Sequence, residues 1–181
     1  GEVRAHDKIG LLFVGRRSLE KRLDVFLALA DRLESMHRDH FRFTVVGADT
    51  VAGHGHVAFK GTVNDPAVMA ALYADHDLLA LTSSREGFPM VVMEAMANGL
   101  VVMATPVGDV PNRLDAAFAV VTSSVEEDTV IREMAAAVVD LDNDRERMLR
   151  MKTAALETAK RDFDPAHFRE RYRALLMSPA S

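Results

Sequence analysis

Six short apolar runs, separated by helical patterns and turns, constrain the fold of this chain more than any other feature. None of them shows the alternation of apolar and polar residues that marks a strand with one solvent face. Each therefore predicts a strand that is buried on both faces, as in a parallel sheet. The runs lie at residues 9–14, 41–46, 57–59, 78–81, 100–104 and 118–121. Because helical segments intervene, we predict an α/β fold: a doubly wound, mostly parallel sheet of about six strands with helices on both faces.

The segments between these runs carry signals for helix starts. Asp65 followed by a proline is typical of an N-cap and a first helical turn. Ser124, with Glu127 three residues later, predicts a capping box for a helix that runs to about residue 140. A further helix is predicted over residues 144–161, and Asp164 opens a last one. These helices would supply the layers that cover both faces of the sheet.

Length and composition limit the possible classes of function. The chain has 181 residues, 49% of them hydrophobic, which predicts a single domain over residues 1–181. The net charge is −5 and no basic stripe is present, so nucleic acid is not an expected partner. There is no cysteine, and no run resembles a signal peptide or a membrane span. The chain starts at Gly1 in a polar stretch, from which we expect a fragment of a longer protein.

Ligands of doubly wound sheets bind at the carboxyl ends of the strands, so the residues after each run are candidate site residues. The first run is followed by Gly15, Arg16 and, where the next helix opens, Lys21. Helix starts favour negative charge, and the two cations would add full charges, so together they suit a diphosphate. The alternative is ordinary solvated surface charge. Neither a Walker loop nor a Gly-x-Gly-x-x-Gly fingerprint is present.

The segment after the fourth run contains two glutamates. Glu86 lies in a glycine-containing loop, Pro89 begins a helix, and Glu94 lies within that helix. The apolar neighbours of Glu94 indicate burial of its carboxylate, which costs several kcal/mol unless the group has partners. Sugar hydroxyls, backbone N–H groups or an arginine would be suitable partners. The alternative is a structural glutamate near a helix N-terminus, where negative charge is favoured.

Two other features carry weaker signals. Residues 105–112 predict a rigid turn with Gly108, which would either place backbone N–H groups near a ligand or simply reverse the chain. His54 and His56 could bring two imidazoles together, but we expect no nearby carboxylate or third ligand that completes a set. We therefore expect no metal site.

Taken together, these clusters resemble the C-terminal domain of family 4 glycosyltransferases, which have the GT-B fold. The most specific part is a Glu-x7-Glu motif, here Glu86 and Glu94, within Ser-x-x-Glu-Gly-Phe-Pro-x4-Glu-Ala-Met-Ala-x-Gly. The Gly-Arg-x4-Lys segment, Asp77 and the Gly-x-Val-Pro segment at Gly108 follow the family order. The resemblance covers residues 9–177 and implies the Rossmann-like half of a GT-B protein, with the N-terminal acceptor domain absent from this chain.

The resemblance implies a role for individual residues. Arg16 and Lys21 would hold the donor diphosphate, and Glu86 would contact hydroxyls of the transferred sugar, so these three form the implied catalytic set. Glu94 would bind the ribose hydroxyls of the nucleotide. Backbone atoms near the sugar and the phosphates complete the implied donor-binding set: Gly15, Gly87, Phe88, Pro89, Met90 and Val91.

The implied activity is transfer of a sugar, with retention of its anomeric configuration, from a nucleoside-diphosphate sugar to an acceptor hydroxyl in glycan, glycolipid or polysaccharide synthesis. The resemblance implies no metal and no cofactor besides this donor. A glycan, lipid or small-molecule acceptor would bind through the absent domain, so the fragment alone would be inactive. We expect the full-length protein to be cytoplasmic, a location that allows peripheral association with the inner face of the membrane.

Three other interpretations fit part of the pattern. A sugar-nucleotide-binding module without transfer activity and a GT-B sugar-nucleotide epimerase would both use the same residues. A flavodoxin-like signalling domain fits the strand pattern, but it does not explain Glu86 and Glu94. It would also need acidic residues where Arg16 and Arg17 stand.

Overall fold

The computed structural model describes Val3 and residues 6–162 of the chain. Within this part, the sheet has six parallel strands in the order β3–β2–β1–β4–β5–β6. This confirms the predicted doubly wound α/β fold, and each predicted strand is present with its start displaced by no more than one residue. The strands are β1 (Gly10–Val14), β2 (Arg42–Val46), β3 (Val57–Phe59), β4 (Leu78–Leu81), β5 (Val101–Ala104) and β6 (Ala119–Val121).

Helices cover both faces of the sheet. Those in the described residues are α1 (Leu23–Met36), α2 (Pro66–Ala74), α3 (Met90–Ala97), α4 (Val110–Arg113), α5 (Glu127–Asn143) and α6 (Arg145–Asp162). On one face α1 packs against α5, and on the other α3 packs against the second half of α6. None of these described helices is long and apolar enough to cross a lipid bilayer.

Successive side chains of the central strands enter two different cores. In β1, Leu11 and Phe13 pack under α1 and α5, whereas Leu12 packs with α3 and α6. In β4, Leu78 packs into the core under α1 and α5, and Leu79 packs with α3 and α6. All five of these side chains are buried. Each such side chain contributes about 1.5–3 kcal/mol through burial. Burial on both faces is the reason why these runs show no polar alternation.

One predicted helix start is confirmed and another is wrong. Asp65 is the N-cap of α2, and its carboxylate accepts a hydrogen bond from a backbone N–H two residues on, at 2.8 Å. The predicted capping box of α5 is not formed, because the helix starts at Glu127 after an N-cap residue, Glu126, without a side-chain cap. The Ser124 hydroxyl instead accepts from the Glu126 N–H at 3.0 Å, in a turn before the helix.

Two further differences concern helix ends and turns. Helix α5 extends three residues beyond its predicted end at residue 140. The turn predicted at residues 105–112 includes the start of a single helical turn, α4, which has a proline in its first turn. The last predicted helix, which Asp164 would open, lies outside the described residues.

A buried ion pair joins the amino ends of the central strands to α6. The carboxylate of Asp77, just before β4, lies 2.7 Å from Nζ of Lys152 and 2.9 Å from Nδ1 of His6. It also accepts a hydrogen bond from the Gly10 N–H at 3.0 Å. Burial opposes its ionisation, but Lys152, the Gly10 N–H and His6 outweigh burial and hold the pKa of Asp77 below its usual value. Asp77 thus links β1, β4 and α6 at the edge opposite the carboxyl ends.

Candidate functional site

The carboxyl ends of β1 and β4 lie side by side at the centre of the sheet. From β1 the chain enters α1 on one face, and from β4 it enters α3 on the other face. This arrangement leaves a crevice between the two connections, which is where doubly wound proteins bind ligands. The two segments with candidate site residues, 15–21 and 86–94, follow these two strands. The topology therefore brings them to one crevice.

Thr82, buried at the end of β4, holds the turn that follows β1. Its hydroxyl lies 3.0 Å from the carbonyl oxygen of Lys21 and 2.9 Å from that of Arg22. The Ser84 N–H donates to the Glu20 carbonyl oxygen at 2.8 Å. These contacts fix the backbone of the β1–α1 turn against the β4–α3 loop. They explain why Lys21 points towards the second candidate segment.

Lys21 and Glu86 form an ion pair in this crevice. Nζ of Lys21 lies 2.5 Å from Oε1 of Glu86, and the Ser83 hydroxyl donates to the same oxygen at 2.8 Å. The two charged side chains are 27% and 14% exposed, so the pair is accessible but not freely mobile. An added hydrogen bond to the carboxylate defines its position better than that of an isolated surface pair. Two of the three predicted catalytic residues are thus in contact.

Arg16, the third predicted catalytic residue, lies outside this contact. Its side chain is exposed on the turn after β1, and it makes no ion pair with any residue that the structure describes. Gly15 extends the sheet by one hydrogen bond, from its N–H to the Val46 carbonyl oxygen at 2.9 Å. A Cβ on Gly47 would lie 2.7 Å from the Gly15 oxygen, so the two glycines allow close packing of the turns. Arg16 therefore lies at the carboxyl edge of the sheet, on the same turn as Lys21.

The loop that carries Glu86 rests on the turn after β5. The hydroxyl of buried Thr105 donates to the Ser83 carbonyl oxygen at 2.5 Å, and the N–H that follows Gly108 donates to the Gly87 carbonyl oxygen at 3.0 Å. Gly108 has a φ of 55°, and a Cβ there would overlap the carbonyl oxygens of Glu86 and Gly87. The predicted turn at residues 105–112 therefore supports the glutamate loop through its backbone.

We expect Gly108→Ala to destabilise the protein and to displace Glu86. A left-handed backbone costs an L-residue about 1–2 kcal/mol, and here the methyl group also overlaps two carbonyl oxygens. The free energy of unfolding in urea should fall by more than about 2 kcal/mol. Gly53→Ala is the matched control, because Gly53 has a φ of 89° and nothing within 4 Å of an added Cβ. Equal losses in both variants would contradict this account of Gly108.

Helix α3 starts directly after the glutamate loop, with buried Pro89 as its N-cap and no capping side chain. The first N–H groups of a helix lack intrahelical acceptors, so the start of α3 presents donors and a positive dipole end to the carboxyl edge. Phe88 is half-buried, and the Arg113 guanidinium lies 5.1 Å from its ring centroid. Met90 is 68% exposed and Val91 is half-buried. Residues 87–91 therefore form one side of the crevice.

Glu94 lies on the exposed face of α3, so its expected burial is wrong. The helix buries Val92, Ala95 and Met96 instead, a choice of face that the nearly all-apolar sequence did not indicate. Oε2 of Glu94 accepts a hydrogen bond from the Tyr73 hydroxyl at 2.8 Å. Burial, together with the hydrogen bond and charge of Glu94, raises the pKa of the Tyr73 phenol. Tyr73 thus orients an accessible carboxylate.

Sequence reasoning missed three buried residues that hold the site: Tyr73, Thr82 and Thr105. The contact of Tyr73 joins α2 to α3 across 21 positions, and nothing local in the sequence marks it. For the two threonines a signal was present, because each directly follows a strand at the edge where ligands bind. Their hydroxyls position backbone segments, so they act through other residues.

The structure adds a carboxylate to the two histidines for which the sequence offered none. Oδ1 of Asp31, on α1, lies 3.0 Å from Nδ1 of His54 and 3.2 Å from Nε2 of His56. The sequence-based reason for expecting no metal site is therefore wrong. Asp31 lies 23 positions before His54 on another element, so only the packing of α1 against the β2–β3 connection brings the three together.

Solved structures with the same fold include a domain of a group 1 glycosyl transferase family protein. HepE from Anabaena, in complex with UDP, has a TM-score of 0.79 and 19% identity, covering 94% of this chain and 49% of HepE. Sucrose-phosphate synthase from Thermosynechococcus elongatus has a TM-score of 0.75 and 20% identity, covering 94% and 46%. The C-terminal domain of LpcC, a group 1 glycosyl transferase family protein from Francisella tularensis, has a TM-score of 0.74 and 19% identity, covering 87% of both chains. This chain thus spans about half the length of HepE.

Sequence comparison gives the family. A search of curated protein sequences finds no match to the chain. The family model of group 1 glycosyl transferases matches residues 8–144, which include all six strands and both candidate segments. The chain therefore belongs to the group 1 glycosyltransferases.

Proposed function

We propose that this chain is the C-terminal, donor-binding half of a two-domain family 4 glycosyltransferase that transfers a sugar with retention of configuration. The observation that carries the proposal is the convergence of Lys21, Glu86 and the start of α3 at the carboxyl ends of β1 and β4. A cation, a carboxylate and backbone donors there face one crevice. These groups suit the phosphates and hydroxyls of a nucleoside-diphosphate sugar.

The diphosphate would lie between the β1–α1 turn and the start of α3. Lys21 would contact it directly, and Arg16 is exposed on the same turn and would reach it from the other side. In the unliganded chain Lys21 is held by Glu86. A diphosphate carries more negative charge than one carboxylate, so it would compete well for Lys21. Glu86 would keep its hydrogen bond from Ser83 and remain oriented.

The two glutamates would recognise the hydroxyls at the two ends of the donor. Glu86, freed from Lys21, would accept hydrogen bonds from the transferred sugar, and Glu94 would accept them from the ribose. The Tyr73 hydroxyl holds one oxygen of Glu94, which restricts its rotamers before the ligand arrives. Gly15 and residues 87–91 would contribute close backbone contacts along the donor between these two carboxylates.

The proposed chemistry depends on stabilising the leaving group. When the bond between the sugar and the diphosphate breaks, negative charge accumulates on the diphosphate oxygen. Lys21, Arg16 and the positive end of the α3 dipole would stabilise that charge, which is an electrostatic contribution to catalysis. With these groups in place, the proposed transfer requires no metal ion and no cofactor besides the donor.

The similar structures support this proposal. HepE has been solved with UDP and with UDP-glucose, so its fold accommodates a sugar nucleotide. This chain covers 49% of HepE but 87% of the C-terminal domain of LpcC, which supports its interpretation as one half of a larger enzyme. We infer that an N-terminal half would bind the acceptor, whether glycan, lipid or small molecule. Full-length protein would act in the cytoplasm, with peripheral membrane association where the acceptor is a lipid.

A thermal-shift screen of the chain with UDP, GDP and ADP tests the proposal and identifies the base. A ligand that binds only the folded state raises the melting temperature, and the rise grows with the logarithm of the ligand concentration once this exceeds the dissociation constant. We expect one of the three nucleotides to stabilise the chain at millimolar concentration. If none of them did, and none bound by NMR titration, the chain would not be a donor-binding half.

We expect Lys21→Met to weaken binding of the selected nucleoside diphosphate roughly ten- to hundred-fold, because it removes a charge-assisted contact of about 1.5–3 kcal/mol. Binding of the corresponding nucleoside should change little, because the nucleoside has no phosphate. Arg16→Ala should show the same selectivity. NMR titration of both ligands measures the two affinities.

Lys8→Met is the matched control for Lys21→Met. Lys8 also pairs with a carboxylate, that of Asp39 at 2.7 Å, but it precedes β1 at the opposite edge of the sheet. Its replacement should leave both affinities unchanged. Equal losses for nucleotide and nucleoside in Lys21→Met would indicate a general disturbance of the turn and would argue against a diphosphate contact.

A further inference from the structure

Asp31, His54 and His56 form a cluster of titratable groups that shares no residue with the proposed donor site. Oδ1 of Asp31 lies 3.0 Å from Nδ1 of His54 and 3.2 Å from Nε2 of His56. All three atoms lie within 4.8 Å of one another. Two imidazole nitrogens and one carboxylate oxygen form a ligand set that zinc uses when it keeps a fourth position open.

The separations of the two imidazole nitrogens from Oδ1 of Asp31 are close to the ligand spacing of a tetrahedral metal site. Metal–nitrogen and metal–oxygen bonds of about 2.0–2.2 Å at tetrahedral angles place the ligand atoms about 3.3–3.6 Å apart. The two separations from Oδ1 of Asp31 are 3.0 and 3.2 Å. Shifts of a few tenths of an ångström would bring Asp31 and each histidine to this spacing, and the two imidazole nitrogens lie within 4.8 Å of each other.

His56 has a buried nitrogen that the described residues leave without a hydrogen bond. Its Nε2 is shielded from solvent, and its contact with Asp31 does not meet hydrogen-bond geometry. The imidazole ring of His56 makes an edge-to-face contact with Phe43, a core residue of β2. The ring centroids are 5.8 Å apart and the interplanar angle is 88°. Buried polar atoms without a partner are rare in folded proteins, and a bound ion is one of their explanations.

Access to the cluster is open. Asp31 and His54 line a broad surface pocket along α1, together with Arg17, Arg22 and Ser84 of the two loops at the crevice. Asp31 and His56 also border a second pocket on the other side of the cluster. An ion held here would keep its fourth position towards solvent.

We propose that Asp31, His54 and His56 bind a divalent transition-metal ion, of which zinc fits the ligand set best. The ion would tie the β2–β3 connection to α1, beside the turn that carries the proposed phosphate contacts. The ion would take no part in the proposed sugar transfer, because the three ligands belong to neither the proposed catalytic nor the proposed donor-binding residues. Donor binding and zinc binding can therefore fail independently.

Calorimetric titration of zinc into the tag-free, metal-stripped 181-residue chain tests the proposal. We expect one zinc ion to bind per chain, and the same titration with cobalt should give the intense visible absorption of a tetrahedral complex. His54→Gln and His56→Gln should each weaken zinc binding by at least about tenfold, the loss that even an outer-shell change can cause. His37→Gln, a change at an exposed histidine near the end of α1, is the matched control and should bind as the wild type does.

The two histidine variants are compared with the wild type by circular dichroism in the presence of a chelator, so that a folding defect is recognised. His56 packs against the core residue Phe43, so His54 is the safer of the two positions, and the loss of zinc binding in folded His54→Gln alone would support the site. The proposal is overturned if the wild type binds no stoichiometric zinc. It is equally overturned if folded His54→Gln binds zinc like the wild type, because the site would then lie elsewhere.

Discussion

Turnover should disappear when this chain is separated from the rest of the proposed enzyme. In the proposed enzyme this chain supplies one wall of the crevice at β1 and β4, and the acceptor would be oriented by the other. Positioning of reactants supplies about 7–11 kcal/mol of barrier reduction, so its loss corresponds to at least about five orders of magnitude in rate. Donor affinity should also fall, because the open half-site leaves the contacts of the donor with Lys21 and Glu86 exposed to water.

The measurement compares the 181-residue chain with the full-length protein on the same donor and acceptor. Circular dichroism of the chain provides the control, because loss of activity is informative only if the chain is folded. Turnover within a factor of about ten of the full-length rate would contradict the two-domain proposal. A complete active site would then have to lie within these residues.

The fold could be predicted because its strands are apolar on both faces. The central strands divide their side chains between two cores, so both sets of alternating residues must be apolar, and the sequence shows this as uninterrupted apolar runs. The errors lie at element ends. Ile9 is fully buried but precedes β1, which starts at Gly10, because burial and hydrogen-bond pairing need not end at the same residue. The capping box at Ser124 failed because a turn competes for the same hydroxyl.

The candidate site was predictable only in part, because its residues come from different elements. That Lys21 and Glu86 meet follows from the parallel sheet, since both come after neighbouring strands. The exposure of Glu94 could not be predicted, because an apolar helix offers no polar stripe that shows which face turns to solvent. In the Asp31 cluster the carboxylate lies 23 positions before the first histidine, and no periodic pattern in the sequence indicates contacts at that separation.

The pairing of Asp77 with Lys152 is another contact between distant residues that no pattern in the sequence indicates. The two residues are 75 positions apart, and their side chains are 0% and 3% exposed. Removing one partner of a buried pair leaves an uncompensated charge, which destabilises a protein by about 3–5 kcal/mol. At this site the carboxylate also keeps a backbone donor, the Gly10 N–H, and a contact with His6. These two contacts would remain when the lysine is replaced.

We expect Lys152→Met to lower the free energy of unfolding by about 3–5 kcal/mol near neutral pH. The folded-state pKa of Asp77 is lowered, so its ionised form contributes stability above the unfolded-state pKa of about 3.9, and that contribution is lost as the pH falls through the folded-state value. In Lys152→Met the cation that lowers this pKa is gone, so protonation of Asp77 begins at higher pH and relieves the buried charge. The difference in stability between wild type and variant should therefore shrink as the pH is lowered.

Urea unfolding of both proteins between neutral and acidic pH measures this difference. Lys160→Met is the matched control, because Lys160 lies on the exposed side of the same helix and its replacement should change stability by no more than about 0.5 kcal/mol. A loss in Lys152→Met that stayed constant with pH would indicate lost packing of the lysine stem and not an unpaired Asp77. A loss as small as that of Lys160→Met would mean that the Gly10 N–H and His6 suffice to hold the buried carboxylate.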